Sequence, residues 1–357
     1  ARLFLYPVGI NYFIYHYANQ QLQNFQKNMT HEDTYYIIGI DGGASKTRGI
    51  LFTQSGETIA TAFEKGSNLA IFGETAANRL QAVINTLCDN ANIHLDLVDA
   101  IGLGLAGASD KDGRDLVFKM LDGLKLSQCA LIANDAEAAY EVSCPGDFGI
   151  LVTVGTGVIC LSRNENGETI RTAGKGHEQG DMGSGYWIGK QALLNLSLNE
   201  TSVMGDADLE EIMEAFLVYV EEDHFETALE NVYDNTDSVS IIAGFAESVI
   251  LLAENGNEVM LSVLQEAAHA IAGYITALAE ELKYNENHIV LAGNGSVIQN
   301  ELFRKSLNDD LRFDFPEIKW TFSTISPAYG AGMLAAKVQG IDVKVSDILK
   351  GDALAAA

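Results

Sequence analysis

The feature that most constrains the fold is a strand–turn–strand pattern that occurs twice. In the first copy, apolar residues 35–40 lead to Asp41, a polar turn follows at 42–47, and residues 49–52 are again β-prone. In the second copy, about 110 residues later, the apolar runs 148–154 and 158–161 flank Gly155-Thr156-Gly157. Two glycine-rich hairpins at this spacing indicate two lobes of similar topology, which together could clamp one polyphosphate.

The chemistry of the first turn suits an anion. Gly42 and Gly43 let the backbone approach closely, and the side chains of Ser45, Lys46 and Thr47 add hydroxyls and a positive charge. The carboxylate of Asp41 suits a hard metal ion. A Walker P-loop and a Rossmann fingerprint are both excluded by the residue order and because no helix follows. For the turn taken alone, an ordinary glycine-rich hairpin remains the alternative.

Composition limits the classes of function. The chain has 357 residues, 47% of them hydrophobic, which is enough for two domains or one large one. A net charge of -27 argues against nucleic acid and anionic membranes as partners. No apolar run is long enough to predict a transmembrane helix. The four cysteines lack metal-ligand spacing, so we expect reduced thiols in a cytoplasmic protein without zinc or an iron–sulfur cluster.

Alternating strand and helix patterns predict an α/β protein with four segments. Residues 1–28 are interpreted as an N-terminal extension, non-native or flexible, with Met29 as the natural start. Residues 29–146 form the expected N-terminal lobe. Residues 147–341 form the expected C-terminal lobe, with a mostly helical insertion at 184–286. Residues 342–357 are an expected tail that returns to the first lobe.

Several polar residues lie where strands end, which is where α/β proteins bind ligands. Asp135 follows a buried strand and precedes a helix, so it fits both a general base and a helix N-cap. Asn68 lies in a loop where a simple turn is the alternative. The loop 177–185 is polar and rich in glycine, and its Asp181 is a rival candidate for the base. Residues 293–296 follow a strand, and a helix is expected from residue 297.

The ordered set of motifs resembles a known family. These motifs are Asp-Gly-Gly-x-Ser-Lys-Thr, Gly-Ser-Asn, Asn-Asp-Ala, Gly-Thr-Gly, Gly-Asp-x-Gly-Ser-Gly-Tyr-Trp-Ile-Gly and Ala-Gly-Asn-Gly-Ser. Across roughly residues 35–340, the chain is similar to the sugar-kinase/actin superfamily, and within it to the BadF/BadG-type ATPases, which include N-acetylglucosamine and glucosamine kinases. The resemblance implies two ribonuclease-H-like, actin-like ATPase lobes with a central cleft.

The resemblance also implies a role for each matching residue. It implies ATP and Mg²⁺ as cofactors, an amino sugar as substrate, and Asp135 as the base that activates the sugar 6-hydroxyl. Asp41 would reach Mg²⁺ through water. The implied phosphate loops and adenosine segment comprise Gly42, Gly43, Ser45, Lys46, Thr47, Gly155, Thr156, Gly157, Gly293, Gly295, Ser296 and Asn300. The implied sugar-binding set is Asn68, Asp135, Gly176 and Asp181.

The chain departs from the family at one position, and other interpretations stay open. Met182 stands where relatives often have Glu, so the choice between N-acetylglucosamine, glucosamine and another hexose is not fixed. The alternative function is an ATPase or activator that couples hydrolysis to a protein partner, and a sugar sensor without catalysis is a third. Long alanine-rich helices could provide a homodimer face.

Overall fold

The computed structural model describes residues 34–145, 149–176, 181–198, 206–284 and 288–348. The expected extension 1–28 and the loop residues 177–180 lie outside this part of the chain. The chain divides into two compact units. The first takes its described residues from Ala1–Asp147, Glu165–Thr169 and Ser323–Ala357, and the second from Phe148–Asn164 and Ile170–Phe322.

The first unit is built on a five-stranded mixed sheet with the order β3-β2-β1-β4-β5. Its strands are β1 (Tyr36–Gly42), β2 (Lys46–Thr53), β3 (Thr58–Lys65), β4 (Val98–Leu105) and β5 (Ala130–Asn134). β1 and β2 form the predicted antiparallel hairpin, and β4 and β5 continue the sheet in parallel. The carboxyl ends of β1, β4 and β5 therefore lie along one edge, which carries Asp41 and ends beside Asp135.

Helices cover the first sheet. They are α1 (Leu69–Phe72), α2 (Glu74–Ala91), α3 (Lys111–Gly123), α4 (Asp135–Ser143) and, late in the chain, α11 (Pro327–Val338). The apolar positions of α2 recur at helical spacing, and Leu80, Val83 and Leu87 are buried against the sheet. A second apolar cluster on this unit joins Ile37 and Phe52 to α11.

Small residues allow α11 to pack directly on the first sheet. A Cβ atom at Gly39 would lie 1.9 Å from the carbonyl oxygen of Ala328, and one at Gly102 would lie 1.8 Å from that of Ala331. Helix α4 meets α11 just as closely, because a Cβ at Gly330 would lie 1.9 Å from the Ala138 oxygen. This packing fixes the axis of α4, at whose first turn Asp135 lies.

The second unit repeats the sheet of the first. Its strands are β6 (Ile150–Val154), β7 (Val158–Arg163), β8 (Thr169–Ala173), β9 (His288–Asn294) and β10 (Glu317–Thr321), in the order β10-β9-β6-β7-β8. β6 and β7 form an antiparallel hairpin, and β9 and β10 extend the sheet in parallel. Written in reverse, as β8-β7-β6-β9-β10, this order matches that of the first sheet strand by strand. The prediction of two lobes of ribonuclease-H-like topology is therefore confirmed.

The remaining helices belong to the second unit. They are α5 (Gly185–Leu198), α6 (Ala207–Val220), α7 (Phe225–Tyr233), α8 (Ser238–Glu254), α9 (Glu258–Glu281) and α10 (Glu301–Leu311). α9 is the longest of them, and its inner face, including Leu264, Ile271 and Ile275, is fully buried in the core of this unit. Within the described residues, no single helix has the length and hydropathy of a membrane span; α8 and α9 meet that test only as a pair bent by 118°.

Two details differ from the sequence-based expectations. The sequence pattern places residues 323–341 in the second lobe, but the structure groups them with the first unit because α11 packs on β1 and β4. Ile341 and Ile348, which follow α11, are buried in the same cluster. Helix α10 is expected from residue 297 but begins at Glu301, with Asn300 as its N-cap.

Candidate functional site

The tip of the first hairpin presents free backbone donors. The N–H of Gly43 donates to the carbonyl oxygen of Lys46 at 3.0 Å and closes the turn. The N–H groups of Ala44 and Ser45 have no acceptor among the described residues, and the side chains of Ser45 and Lys46 are exposed. Two adjacent free donors beside a lysine can bind an oxyanion, as the sequence predicts.

Asp41 ends β1 directly before this turn. Burial, together with the negative charge of Asp135, raises the pKa of Asp41 from its usual 3.8 to about 6, and the positive charges of Lys46 and Arg48 oppose this rise. The strand register places both carboxylates at one edge of the first sheet, because Asp41 pairs with Gly104 of β4 and Gly104 pairs with Ala133, two residues before Asp135. Such a pair of carboxylates beside a lysine is a common feature of functional sites.

Asp135 is the first residue of α4, so it is not the N-cap. Asn134 is the N-cap and accepts from the Ala136 N–H at 3.1 Å, while Glu137 completes a capping box by accepting from the Asn134 N–H at 2.9 Å. Burial raises the pKa of Asp135, although the Ala136 N–H, 3.0 Å from Asp135 Oδ1, opposes the rise. Because neighbouring residues cap the helix, the second oxygen of Asp135 can take up a proton.

Asn68 lies in the loop between β3 and α1, and its side chain has two separate uses. Its Oδ1 caps α1 by accepting from the N–H groups of Ala70 and Ile71, at 3.0 and 3.3 Å. Its Nδ2 amide has no acceptor within the described part of the chain. The cap fixes the side chain, so the free amide can donate to a ligand hydroxyl from a fixed position.

Thr47 occupies a different environment from the one expected. Its side chain is 0% exposed, and its Oγ1 lies 2.8 Å from both Lys65 O and Ser67 Oγ. The alternation of side chains along β2 sends Lys46 outward and Thr47 inward. The hydroxyl of Thr47 is therefore used within the fold and not directed at the open end of the turn.

The second hairpin carries the other candidate phosphate loop. Thr156 and Gly157 are exposed, and the N–H of Gly155 donates to Gly157 O at 3.0 Å. Asp181 lies beside this turn: it is 6% exposed, and its Oδ2 would be 3.4 Å from a Cβ at Gly157. Its Oδ1 accepts from the N–H of Lys175 at 2.9 Å. The structure thus brings Asp181 to the second glycine hairpin.

The Gly293–Ser296 segment connects to the same hairpin through its backbone. Gly295 has a φ of +96°, and a Cβ there would lie 2.3 Å from Val154 O, so only glycine fits. Ser296 is exposed. The side chain of Asn300 is instead used by the fold, since its Oδ1 caps α10 through the Phe303 N–H at 3.0 Å and its Nδ2 donates to Glu254 at 2.9 Å. Both polar groups of the Asn300 side chain are therefore engaged within the fold.

Two further predicted positions lie near Asp181 in the chain. Gly176 is exposed with a φ of +90°, and residues 177–180, which follow it, are outside the described residues. Met182 is 45% exposed and lines a groove of about 870 Å³ together with residues of α9 and α10, including His269 and Tyr274. Where relatives often carry a carboxylate, this chain thus presents an apolar side chain to an open groove.

Sequence reasoning missed three residues that shape the site. Arg48 faces Asp41 across the β1–β2 ladder, and its guanidinium lies 5.6 Å from the ring centre of Phe63. Ser67 is buried against Thr47. Arg79 donates to Gly66 O from α2. Arg48 and Ser67 had a sequence signal: Arg48 follows Lys46 by two residues on a strand and so shares its face, and Ser67 is the serine of the Gly-Ser-Asn motif.

Comparison with known proteins identifies the family. The model of the BadF/BadG/BcrA/BcrD ATPase family matches residues 38–335. The chain belongs to this family. It is 30% identical over 307 residues to the N-acetylmuramic acid/N-acetylglucosamine kinase of Clostridium acetobutylicum, covering 84% of this chain and 98% of the relative. It is 28% identical to the N-acetyl-D-glucosamine kinase of Dictyostelium discoideum, covering 84% and 97%.

Solved structures extend the likeness of this BadF/BadG/BcrA/BcrD family member to sugar kinases. A proposed N-acetylglucosamine kinase from Chromobacterium violaceum superposes with a TM-score of 0.68 at 23% identity, over 84% of this chain and 99% of that one. A ROK family glucokinase from Streptomyces griseus superposes with a TM-score of 0.57 at 16% identity, over 85% and 99%. At these identities the likeness concerns the fold, which is that of the actin-like ATPases.

The residues present fit a magnesium ion that arrives with its nucleotide. Among the described residues, no three His, Cys, Asp or Glu side chains form a metal-binding group. Asp41 nevertheless offers a carboxylate whose ionised form is costly without a cation nearby. Mg²⁺ usually keeps several waters and binds through one or two carboxylates plus phosphates, so a single carboxylate beside a phosphate turn matches its needs.

Proposed function

We propose that this protein transfers the γ-phosphoryl group of ATP to the 6-hydroxyl of an amino sugar, with N-acetylglucosamine preferred over glucosamine. The observation that carries the proposal is the pairing, within the first unit, of a buried base candidate with a phosphate turn. Asp41 and Asp135 lie at the carboxyl ends of β1 and β5, the two strands that flank β4, and the negative charge of Asp135 raises the pKa of Asp41. The turn that follows Asp41 carries the free N–H groups of residues 44 and 45. The names of the two relatives described above include N-acetylglucosamine, which supports the choice of sugar.

The base in this proposal is Asp135. Its carboxylate accepts the proton of the 6-hydroxyl as the oxygen attacks the γ-phosphorus. Burial raises the pKa of Asp135, which strengthens it as a base, while its position at the first turn of α4 favours the charged form before reaction. General-base catalysis of this kind contributes roughly 100- to 10,000-fold to the rate.

The other proposed roles are binding and orientation, which dominate phosphoryl transfer. Residues 42–46 bind phosphate through N–H groups and the Lys46 ammonium, and Gly155, Thr156 and Gly157 form the second phosphate loop. Asn68 donates its free amide to a sugar hydroxyl. Adenosine binds at Gly293, Gly295 and Ser296, and Gly176 and Asp181 contribute to sugar binding. Mg²⁺, held through water by Asp41, would supply positive charge to the phosphoryl oxygens.

The test compares two aspartates at helix N-termini. Asp135→Asn should lower kcat at least about 100-fold with little change in the KM for ATP, because the base is lost while the phosphate turn remains. Asp110→Asn is the matched control: Asp110 caps α3 through the Gly113 N–H at 2.7 Å, and asparagine caps equally well.

A coupled assay of ADP release with N-acetylglucosamine reads out both variants. Full activity in Asp135→Asn would eliminate Asp135 as the base. If the wild-type protein released ADP at the same rate without any sugar, the alternative would hold, in which an ATPase couples hydrolysis to a protein partner.

A further inference from the structure

The phosphate turn and the loop that carries Asn68 are locked together by three contacts. The N–H of Ser67 donates to Gly43 O at 2.9 Å. Ser67 Oγ lies 2.8 Å from Thr47 Oγ1. Gly66 packs so tightly on the turn that a Cβ there would lie 1.8 Å from Ala44 O. The two segments, about 20 residues apart in the chain, therefore form one local structure.

The side-chain contact between Thr47 and Ser67 is fully buried, since both residues are 0% exposed. The Thr47 hydroxyl is the donor toward both Lys65 O and Ser67 Oγ, each at 2.8 Å, so its one proton is shared between these two acceptors. Gly42 makes room for this arrangement, because a Cβ there would lie 2.2 Å from Ser67 Oγ. Removal of the Thr47 hydroxyl leaves Ser67 Oγ buried without this bond, whereas removal of the Ser67 hydroxyl leaves Thr47 with Lys65 O as its partner.

Asn68 directly follows this contact, and its free amide is the group proposed to hold the sugar. The position of that amide relative to the phosphate turn sets the distance between acceptor and phosphoryl group. A displacement of about 1 Å in such an arrangement can cost on the order of 100-fold in rate.

We infer that Thr47 and Ser67 are positioning residues. They hold the loop of residues 66–68, called the acceptor loop below, at a fixed position relative to the phosphate turn of residues 42–46. The inference rests on the proposed function and assigns to Thr47 a role other than phosphate binding. The turn itself is held by the β1–β2 ladder, which pairs Gly42 with Thr47 through the backbone. Loss of the Thr47 hydroxyl should therefore displace the acceptor loop and leave the phosphate turn in place.

The chain contains a matched control on the same strand. At the opposite end of β2, Thr53 is 3% exposed and its Oγ1 lies 2.8 Å from Ser55 Oγ. The pair Thr53–Ser55 has the same residue types and distance as Thr47–Ser67 but lies away from Asn68 in the fold, at the turn that connects β2 to β3. Thr53→Val therefore reports what the loss of a buried threonine hydroxyl does to β2 alone.

The experiment measures the KM for N-acetylglucosamine and the KM for ATP in Thr47→Val, Ser67→Ala, Thr47→Ser and Thr53→Val. The first two variants should raise the KM for the sugar at least about tenfold, because each loses the side-chain contact that fixes the Asn68 amide relative to the phosphate turn. Their KM for ATP should stay within about twofold of wild type. Thr47→Ser should restore the KM for the sugar because it keeps the hydroxyl, and Thr53→Val should leave both constants unchanged.

Thermal unfolding of each variant shows whether it is folded, so that only folded proteins are compared. If Thr47→Val does not fold, the inference is tested with Ser67→Ala alone. A wild-type KM for the sugar in Thr47→Val or in Ser67→Ala overturns the inference. An equal rise in both constants also overturns it, since that result makes Thr47 a phosphate contact or a general stabiliser. An absence of sugar-dependent ADP release in the wild-type protein defeats the proposed function itself, and the inference falls with it.

Discussion

The substitution Asp41→Asn removes a buried carboxylate whose ionised form lowers the free energy of unfolding at neutral pH. The pKa of Asp41 rises from 3.8 to about 6 in the folded protein, chiefly through burial. A tenfold change in an acid dissociation constant corresponds to about 1.4 kcal/mol, so the ionised form destabilises the fold by roughly 3 kcal/mol at neutral pH. Asparagine has nearly the same shape without the charge. We therefore expect Asp41→Asn to be more stable than wild type at pH 8 by up to about 3 kcal/mol.

The sign of the pH dependence follows from the direction in which the pKa moves. Between pH 3.8 and about 6, the folded protein holds a proton on Asp41 more often than the unfolded chain does. This contribution to wild-type stability therefore falls as the pH rises through that window. Asparagine does not titrate. The stability difference between the variant and wild type should be small near pH 4 and reach its full value above about pH 7.

Thermal unfolding in chelator-containing buffer from pH 4 to pH 8 measures this difference. A gain of 1 kcal/mol raises the melting temperature of a domain of 150–250 residues by about 2 to 4 °C. The same variant should lose amino-sugar-dependent turnover, because the metal-linked carboxylate is gone. Asp223→Asn, at an exposed site in the second unit, is the control and should change neither property. A variant that is less stable than wild type at pH 8, or that keeps its turnover, would refute the reasoning.

Two further predictions concern the same edge of the first sheet. Arg48→Met removes a positive charge that lowers the pKa of Asp41, so the acid limb of the plot of kcat/KM against pH should move to higher pH. Lys119 is exposed, and Lys119→Met should leave this limb unchanged. An unmoved limb in Arg48→Met would contradict this role of Arg48. Gly66→Ala should lower stability by about 1 to 3 kcal/mol and raise the KM for the sugar, because no space exists for its Cβ. A Cβ at Gly123 would have no atom within 4 Å, so Gly123→Ala should be neutral or mildly stabilising in thermal unfolding. If the two variants had equal effects, tight packing could not be the cause of the stability loss in Gly66→Ala.

Local sequence patterns were sufficient to predict both sheets and both hairpins. Glycine-rich turns between apolar runs are strong signals, and the repeated pattern predicted two lobes of similar topology, which the matching strand orders of the two sheets confirm. The placement of α11 could not be predicted in this way. Its packing on the first sheet depends on glycines at 39 and 102, far away in the chain, which only a tertiary structure can relate to it.

The roles of single side chains were harder to predict than the elements that carry them. Thr47 and Asn300 match the family pattern, yet the hydroxyl of Thr47 is buried against Ser67 and both polar groups of Asn300 are used by the fold. A motif specifies residue types along the chain, whereas a side chain's hydrogen-bond partners come from distant segments. Arg79, which holds the Gly66 carbonyl from a helix, has no signal in its own neighbourhood of the sequence.

The most direct test of the proposed activity is ADP release by the wild-type protein with a panel of acceptors: N-acetylglucosamine, glucosamine, N-acetylmuramic acid, glucose and no sugar. We expect release that depends on the sugar, is fastest with N-acetylglucosamine, and yields a product whose phosphate is on the 6-oxygen by nuclear magnetic resonance. Release that is equal with and without every sugar would contradict the central claim that this member of the BadF/BadG/BcrA/BcrD ATPase family is an amino-sugar kinase.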